Sequence, residues 1–217
     1  MFDFHTHTIF SDGELIPSEL VRRALVIGYS GIGLTDHVDF SNLDHVQNAV
    51  KKAKVLEDDV DIRIITGVEI THVPPSRIGE LARRAKKVGA ELVVVHGETV
   101  VEPVASGTNR AALESPDVDI LAHPGIIKLE EAEIARENGI FLEITSRKGH
   151  NTTNGHVAKV AREAGASLIV NTDTHSPDDL ITDDFALKVA VGAGLSEEGA
   201  GVVLRKNPSK LLKKMGL

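Results

Sequence analysis

His5 and His7 stand two residues apart in the run MFDFHTHT, and Asp173 and His175 repeat that interval in NTDTH near the other end of the chain. On an extended strand, side chains two apart point to the same side, so each pair can grip one ion. Groups of the same kind are spread between them: Asp12, Asp36 and His37, Glu69, His96 and His123. Imidazole nitrogen and carboxylate oxygen together suit zinc, manganese and iron. The chain has no cysteine, which excludes disulfides, thiolate nucleophiles and sulfur ligation. Such donors point to hydrolysis by water that a divalent ion has made acidic.

These residues sit on a regular alternation of elements. Seven short runs rich in Val and Ile read as strands: Met1–Thr8, Gly31–Val38, Ile62–Thr71, Glu91–Glu98, Asp119–Gly125, Ile140–Ser146 and Ser167–His175. Segments such as LVVV and LIV are apolar on both faces, as in parallel strands covered by helices outside and by packed side chains inside. Helical patterns fall at Pro17–Ile27, Leu43–Glu57, Pro75–Val88, Glu130–Asn138, Asn154–Ala164 and Asp183–Val191, several opened by proline or stopped by glycine, with a short one at Thr108–Leu113.

A βα repeat forms either an open doubly wound sheet or a closed barrel. The open sheet gathers its chemistry around one crevice, whereas the barrel draws it from the C-terminal ends of many strands. Six of the ten histidines mark the ends of five different strands, with Asp12, Glu69 and Asp173 beside them. That scatter favours the barrel, in which the last strand neighbours the first.

A length of 217 residues fits a single domain over 1–217, and 41% hydrophobic with 26% charged residues is ordinary for a globular chain. No basic and apolar leader opens the sequence and no run approaches the length of a membrane span, so a cytoplasmic location without membrane contact is expected. A net charge of −8 and an aromatic content of 3% argue against a surface that tracks a nucleic acid backbone or stacks its bases.

The motifs HTHTxxSDG at 5–13, TDH at 35–37, GVE at 67–69, VVH at 94–96, AHPG at 122–125 and NTDTH at 171–175 resemble those of the PHP (polymerase and histidinol phosphatase) family. The resemblance implies an α/β fold, a distorted seven-stranded TIM-like barrel, and three divalent metal ions, zinc, manganese or iron. It places one ion on His5, His7 and Asp173, with Glu69 bridging to a second on His96 and His123, and a third on Asp12, His37 and His175. All nine positions carry usable donors. Three ions against three carboxylates leave the mouth formally about +3, a local attraction for an anion on an acidic protein.

The implied reaction is hydrolysis of a phosphate ester by a hydroxide bridging two ions, with Glu69, Asp173 and His175 nearest the chemistry. The acidic charge and few aromatics favour a small phosphomonoester over nucleic acid. Arg147 and Lys148, in the loop TSRKGHN, and Arg77, after the third strand, are the candidate phosphate contacts, and His150 is a candidate general acid. His45, His72 and His156 match no ligand position and read as surface or supporting residues. Asn171 reads as a prop for a loop or for Asp173, and Lys51, Lys52 and Lys54 as a solvated helix face. The segment Glu197–Leu217 is expected to cap the barrel rather than join a dimer, and the oligomeric state stays open. The competing expectations are a nuclease of the same family, a polymerase-associated proofreading domain, or a non-catalytic RNA-binding barrel like a ribonuclease P subunit.

Overall fold

The computed structural model describes residues 1–217. Eight parallel stretches, β1 (Phe2–Thr6), β2 (Gly31–Leu34), β3 (His37–Val38), β4 (Arg63–Ile70), β5 (Leu92–His96), β6 (Ile120–Ala122), β7 (Phe141–Thr145) and β8 (Leu168–Asn171), pair in the order β1-β2-β4-β5-β6-β7-β8, with β3 also on β4. β2 and β3 are one stave broken at Thr35 and Asp36, so the barrel has the seven staves expected. At the break, the Asp36 carboxylate accepts hydrogen bonds from the Thr8 amide (2.8 Å), the Thr8 hydroxyl (2.8 Å) and the Ser11 hydroxyl (2.7 Å), tying the stave to the loop after β1.

Closure between β1 and β8 is incomplete, which is the distortion. One bridge, Thr6 to Thr174, joins the two edges, and the His7 amide donates to the Thr174 carbonyl at 2.8 Å. Below it, side chains replace the ladder. Asn171 Oδ1 accepts from the Phe4 amide at 2.9 Å, and Asp3 Oδ1 from the Thr172 amide at 3.3 Å. These bonds satisfy backbone groups that would otherwise be orphaned in the seam.

Strand parity carries one face of four staves from core to site. Ile65, Gly67 and Glu69 share a face of β4, as do Leu92, Val94 and His96 on β5, Phe141 and Glu143 on β7, and Ile169 and Asn171 on β8. The lower members pack together inside the barrel with Phe4, while the intervening residues, such as Ile64, Val93 and Leu142, face the helices. β1 breaks this parity. Its register against β2 slips between Asp3 and Thr6, so that Phe4 joins the apolar interior and the next residue, His5, also points inward above it. Gly33 permits the slip, because a Cβ there would lie 2.8 Å from the Phe4 carbonyl oxygen.

The outer layer is α1 (Pro17–Ile27), α2 (Leu43–Lys52), α3 (Pro75–Lys87), α4 (Thr108–Leu113), α5 (Leu129–Asn138), α6 (Asn154–Ala164) and α7 (Asp183–Gly192). α1 starts on Pro17 and stops at Gly28, whose φ of 100° lets its amide reach the Ala24 and Leu25 carbonyls. α2 ends earlier than the pattern to Glu57 implies. Ala53–Asp58 tightens into a 3-10 turn with no fully buried side chain, and Ala53 and Leu56 pack only partly against the core, a weak apolar hold on α-helical register. Lys51 and Lys54 are not a free face: Lys51 donates to the Val88 carbonyl at 2.6 Å, and Lys54 pairs with Glu91.

After α8 (Glu197–Gly201), α9 (Asn207–Met215) closes the bottom of the barrel as a cap. Leu211 and Leu212 enter the same interior cluster as Phe4, Ile65 and Phe141, and Asn207 Nδ2 donates to the Leu168 carbonyl at 2.7 Å. No helix is long and apolar enough to cross a membrane. Leu211 is fully buried. Truncation by Leu211→Ala is expected to lower unfolding free energy by about 2–5 kcal/mol, the range for emptying such a site. Urea denaturation measures it, and a loss below about 1 kcal/mol would show that α9 does not plug the floor.

Candidate metal centre

At the C-terminal mouth all nine side chains singled out as ligands converge. His5 Nε2 lies 3.1 Å from His7 Nε2 and 3.3 Å from Glu69 Oε2, and His7 Nε2 lies 3.2 Å from Asp173 Oδ1. His123 Nε2 stands 3.7 Å from both Glu69 Oε1 and Asp173 Oδ2. On the other flank, Asp12 Oδ1 is 3.2 Å from His175 Nε2 and 3.5 Å from His37 Nε2. The His7 ring is packed between those of His37 and His175, at centroid distances of 4.2 and 4.1 Å. Donor atoms of His5, His7 and Glu69, of His5, His123 and Asp173, of Glu69, His96 and His123, and of His7, Asp12, His37 and His175 form four overlapping groups, each compact enough for an ion.

A layer beneath orients these donors. Glu143 Oε1 accepts from His5 Nδ1 at 2.8 Å and from Asn171 Nδ2 at 2.9 Å, while its Oε2 accepts from the His123 amide at 2.9 Å. With Nδ1 donating to Glu143, His5 presents Nε2 to the centre. Asn171 therefore holds Glu143 and β1, and neither the loop nor the Asp173 carboxylate expected of it. His123 and Asp173 have φ of 26° and 54°, left-handed backbone that a residue with a Cβ adopts at a cost of roughly 1–3 kcal/mol. His123 leaves the extended conformation there, which ends β6 at Ala122 and turns its ring inward beside that of His5.

The cluster is built for cations. Burial pulls His5 down, but Glu69 and Glu143 outweigh it and hold the imidazole well above its usual range. Burial likewise opposes His37, and Glu69 and Asp12 overcome it to bring His37 to about 9. Burial raises Asp173 above the ordinary carboxylate range, with Glu69 adding to the rise against the pull of His5. Burial and the neighbouring rings of His37 and His96 push His7 and His123 far down. Glu69 is fully buried, with His37 Nδ1 2.7 Å and His5 Nε2 3.3 Å from its Oε2, and neither carboxylate oxygen receives a well-aligned hydrogen bond. Buried charge without donors is costly unless a cation meets it. Imidazole and carboxylate atoms gathered within 3–4 Å of one another around oxygens that no well-aligned hydrogen bond satisfies fit divalent ions.

The cavity above the donors is about 420 Å³, and Val38 is its one hydrophobic lining residue. Arg147 lines it, its guanidinium donating to Asp179 Oδ2 at 2.9 Å. Asp179 also accepts from the amides of His175 (3.0 Å) and Ser176 (2.7 Å), so arginine and ligand loop are held as a unit. Arg77 is not brought to the site. It lies on α3, 62% exposed, and pairs with Glu80 one turn on. Lys148 is exposed and does not line the cavity.

His150 is buried at the mouth instead of on the surface, with Nδ1 2.8 Å from Thr99 Oγ1. His72 lines the cavity too, whereas His45 is exposed and His156 Nε2 donates to the Ile127 carbonyl at 2.7 Å. Two further residues escaped the sequence. Glu143 was legible as a lone acid within the apolar strand FLEIT. Glu102, on the loop after β5, lies 3.0 Å from His96 Nε2 and carries no sequence signal.

With this geometry established, comparison with known proteins is informative. The PHP domain matches residues 3–100. An uncharacterized protein of Methanocaldococcus jannaschii is 55% identical, over 99% of this chain and 99% of its own. A probable phosphatase of a Thermoanaerobacter species is 31% identical over 91% of this chain and 88% of its own. Ribonuclease P protein component 3 of Methanosarcina mazei is 29% identical over 98% and 89%. A Xaa-Pro dipeptidase structure superposes with a TM-score of 0.63 at 13% identity, covering 100% of this chain and 75% of that one, a likeness of fold alone. The chain belongs to the PHP family.

Two outcomes follow from the site. Asp173, His5 and His37 hold protons near neutrality in the metal-free protein, and an ion must displace them. Divalent-metal affinity is therefore expected to rise as pH goes from 6 to 8, with proton release at pH 7. Calorimetry in buffers of different ionisation enthalpy reads the release, and buffer-independent heats would contradict it. Glu143→Gln keeps the shape but weakens the grip on His5 and should lower metal affinity by about 10- to 100-fold, measured by equilibrium dialysis with circular dichroism confirming the fold. Unchanged affinity would remove Glu143 from the site's support.

Proposed function

We propose that the protein is a metal-dependent phosphoesterase that hydrolyses a small phosphomonoester, with three ions of zinc, manganese or iron on the nine donors named above. The observation that carries this is the convergence of those donors on Glu69, a fully buried carboxylate met by the imidazoles of His5, His7, His37 and His123 at 2.7–3.7 Å. Divalent ions held there would supply an acidified water as nucleophile and positive charge for the phosphoryl oxygens. Glu69 lies between the two inner donor groups and fixes their separation, and His175 and Asp12 extend the set toward the open side. Arg147, held by Asp179, offers a guanidinium to a phosphate oxygen at the rim. The packed interior and the α9 floor close the barrel below, so substrate and water exchange only through the mouth.

A cavity of about 420 Å³ suits a metabolite-sized ligand. Arg147 is the one arginine or lysine among its lining residues, while Asp39 and Glu102 sit on the rim, an unfavourable lining for a long polyanion. A cytoplasmic setting belongs to the same proposal. The ribonuclease P component 3 relative favours a second reading, an RNA-binding barrel without turnover. The donor cluster is the feature that reading leaves without a use.

A screen of phosphorylated metabolites with added manganese or zinc is expected to give phosphate release that chelator abolishes and that Asp173→Ala reduces to background. Cleavage of oligonucleotides with no metabolite turned over would replace the proposal by a nuclease. RNA binding without any hydrolysis would favour the second reading. On an active substrate, Arg147→Ala should raise KM roughly 10- to 100-fold, the loss of a charge-assisted hydrogen bond of about 1.5–3 kcal/mol. An unchanged KM would take Arg147 out of phosphate recognition.

A further inference from the structure

Beyond the nine donors, a second converging group lies on the solvent side of His96. Glu102 Oε2 is 3.0 Å from His96 Nε2 and 3.4 Å from His72 Nε2. In a tetrahedral site with bonds near 2.1 Å, neighbouring donors stand about 3.4 Å apart, so these atoms already lie at ligand spacing. The three form a compact donor group of two nitrogens and one oxygen. Two of its members are open to solvent, the His72 side chain at 44% and Glu102 at 37%, whereas Glu69 and His123 below are essentially inaccessible.

His96 faces both groups with one atom. Its Nδ1 is 3.1 Å from the Gly97 carbonyl, which leaves Nε2 as the free ligand atom, and Nε2 makes its ion pair with Glu102 rather than Glu69. Neither outer residue is casually placed. His72 follows β4 with φ at 53°, one of three residues other than glycine in the left-handed region, and the other two are the inner donors His123 and Asp173. The loop carrying Glu102 is tied at both ends: Glu98 Oε1 accepts from the amides of Gly107 and Asn109, and Asn109 Nδ2 donates to the Pro124 carbonyl. Glu102 Oε1 also stands 3.3 Å from His150 Nε2, which steadies the carboxylate from the far side.

We propose that His72, His96 and Glu102 form an outer divalent-cation site through which an ion is loaded into the buried centre. It takes a cation of the zinc or manganese type from solvent, and with the ion on His96 Nε2 a swing of that ring, exchanging Glu102 and His72 for Glu69 and His123, would carry it inward. The outer and inner positions exclude one another because they share that nitrogen. This rests on the metal-dependent reading above but concerns how the ion arrives, not what it does. A carboxylate at the mouth also concentrates cations there, an effect that raises association rates about tenfold or more.

The test is metal uptake by metal-stripped full-length protein, followed by stopped-flow absorbance with Co(II) and, separately, by competition with a chromophoric zinc chelator. Glu102→Gln and His72→Ala are expected to slow uptake of one ion about tenfold, while the final stoichiometry and the final Co(II) spectrum match wild type. In a Glu69→Gln background, an ion retained by the outer donors should be lost when Glu102→Gln is added. Unchanged uptake rates in both single variants would overturn the proposal. A reduced final stoichiometry would overturn it as well, since Glu102 or His72 would then be a permanent ligand. If wild type takes up no metal, the metal-dependent reading itself fails, an outcome separate from either of these.

Discussion

A fully buried carboxylate ringed by imidazoles is the constraint around which this molecule is arranged. Glu69 ends the inward face of β4, where His5, His7 and His123 are buried beside it and His37, 2.7 Å away, is partly buried. An isolated charge there would cost several kcal/mol. The surrounding imidazoles answer it with protons in the metal-free protein, which is why His5 and His37 are held above their usual range while His7 and His123 are driven below it. Protons and divalent ions are thus alternative occupants of one electrostatic well, and the fold must keep that well shaped in both states.

That shape comes from strand parity more than from any loop. Each inward face begins in an apolar layer and finishes in a donor, as in Leu92, Val94 and His96 or Phe141 and Glu143. The apolar lower half fixes the strand positions by close packing, and the upper half inherits them. The exceptions lie where a donor is needed out of phase: the slipped register that turns both Phe4 and His5 inward, and the left-handed backbone at His123 and Asp173. Local strain at these points is sustained by bonds that over-determine them, such as Glu143 to the His123 amide.

Much of this was legible in the sequence for a physical reason. Donors at strand ends follow buried apolar runs and precede glycine or helix punctuation, so period and position reveal them without contacts; His5, His37, His96 and Asp173 were all found so. What was missed depends on which way a loop turns. Arg77 and Arg147 both follow strands on loops, yet one lies on α3 facing solvent and the other is drawn over the mouth by Asp179. His72, His150 and Glu102 likewise owe their places to the path of loops whose sequences have no period to read. Asn171 reads as a prop for a loop or for Asp173, yet its partners are the Phe4 amide and Glu143, because the slip in β1 that brings the Phe4 amide to it is invisible in a residue pattern.

The division between strand and loop also bears on the relatives. Proteins named as a phosphatase and as a ribonuclease P component align along nearly this whole chain, so the barrel itself cannot separate them. Donors at strand ends cannot be removed without exposing the need they meet, since Glu69 without its imidazoles is an uncompensated buried charge. A barrel of this kind that serves only as a surface would be free to lose both together. In this chain Glu69, its histidines and the Glu143 layer beneath them are all present. That is a polar cluster placed at the C-terminal mouth of the barrel, where the cavity opens.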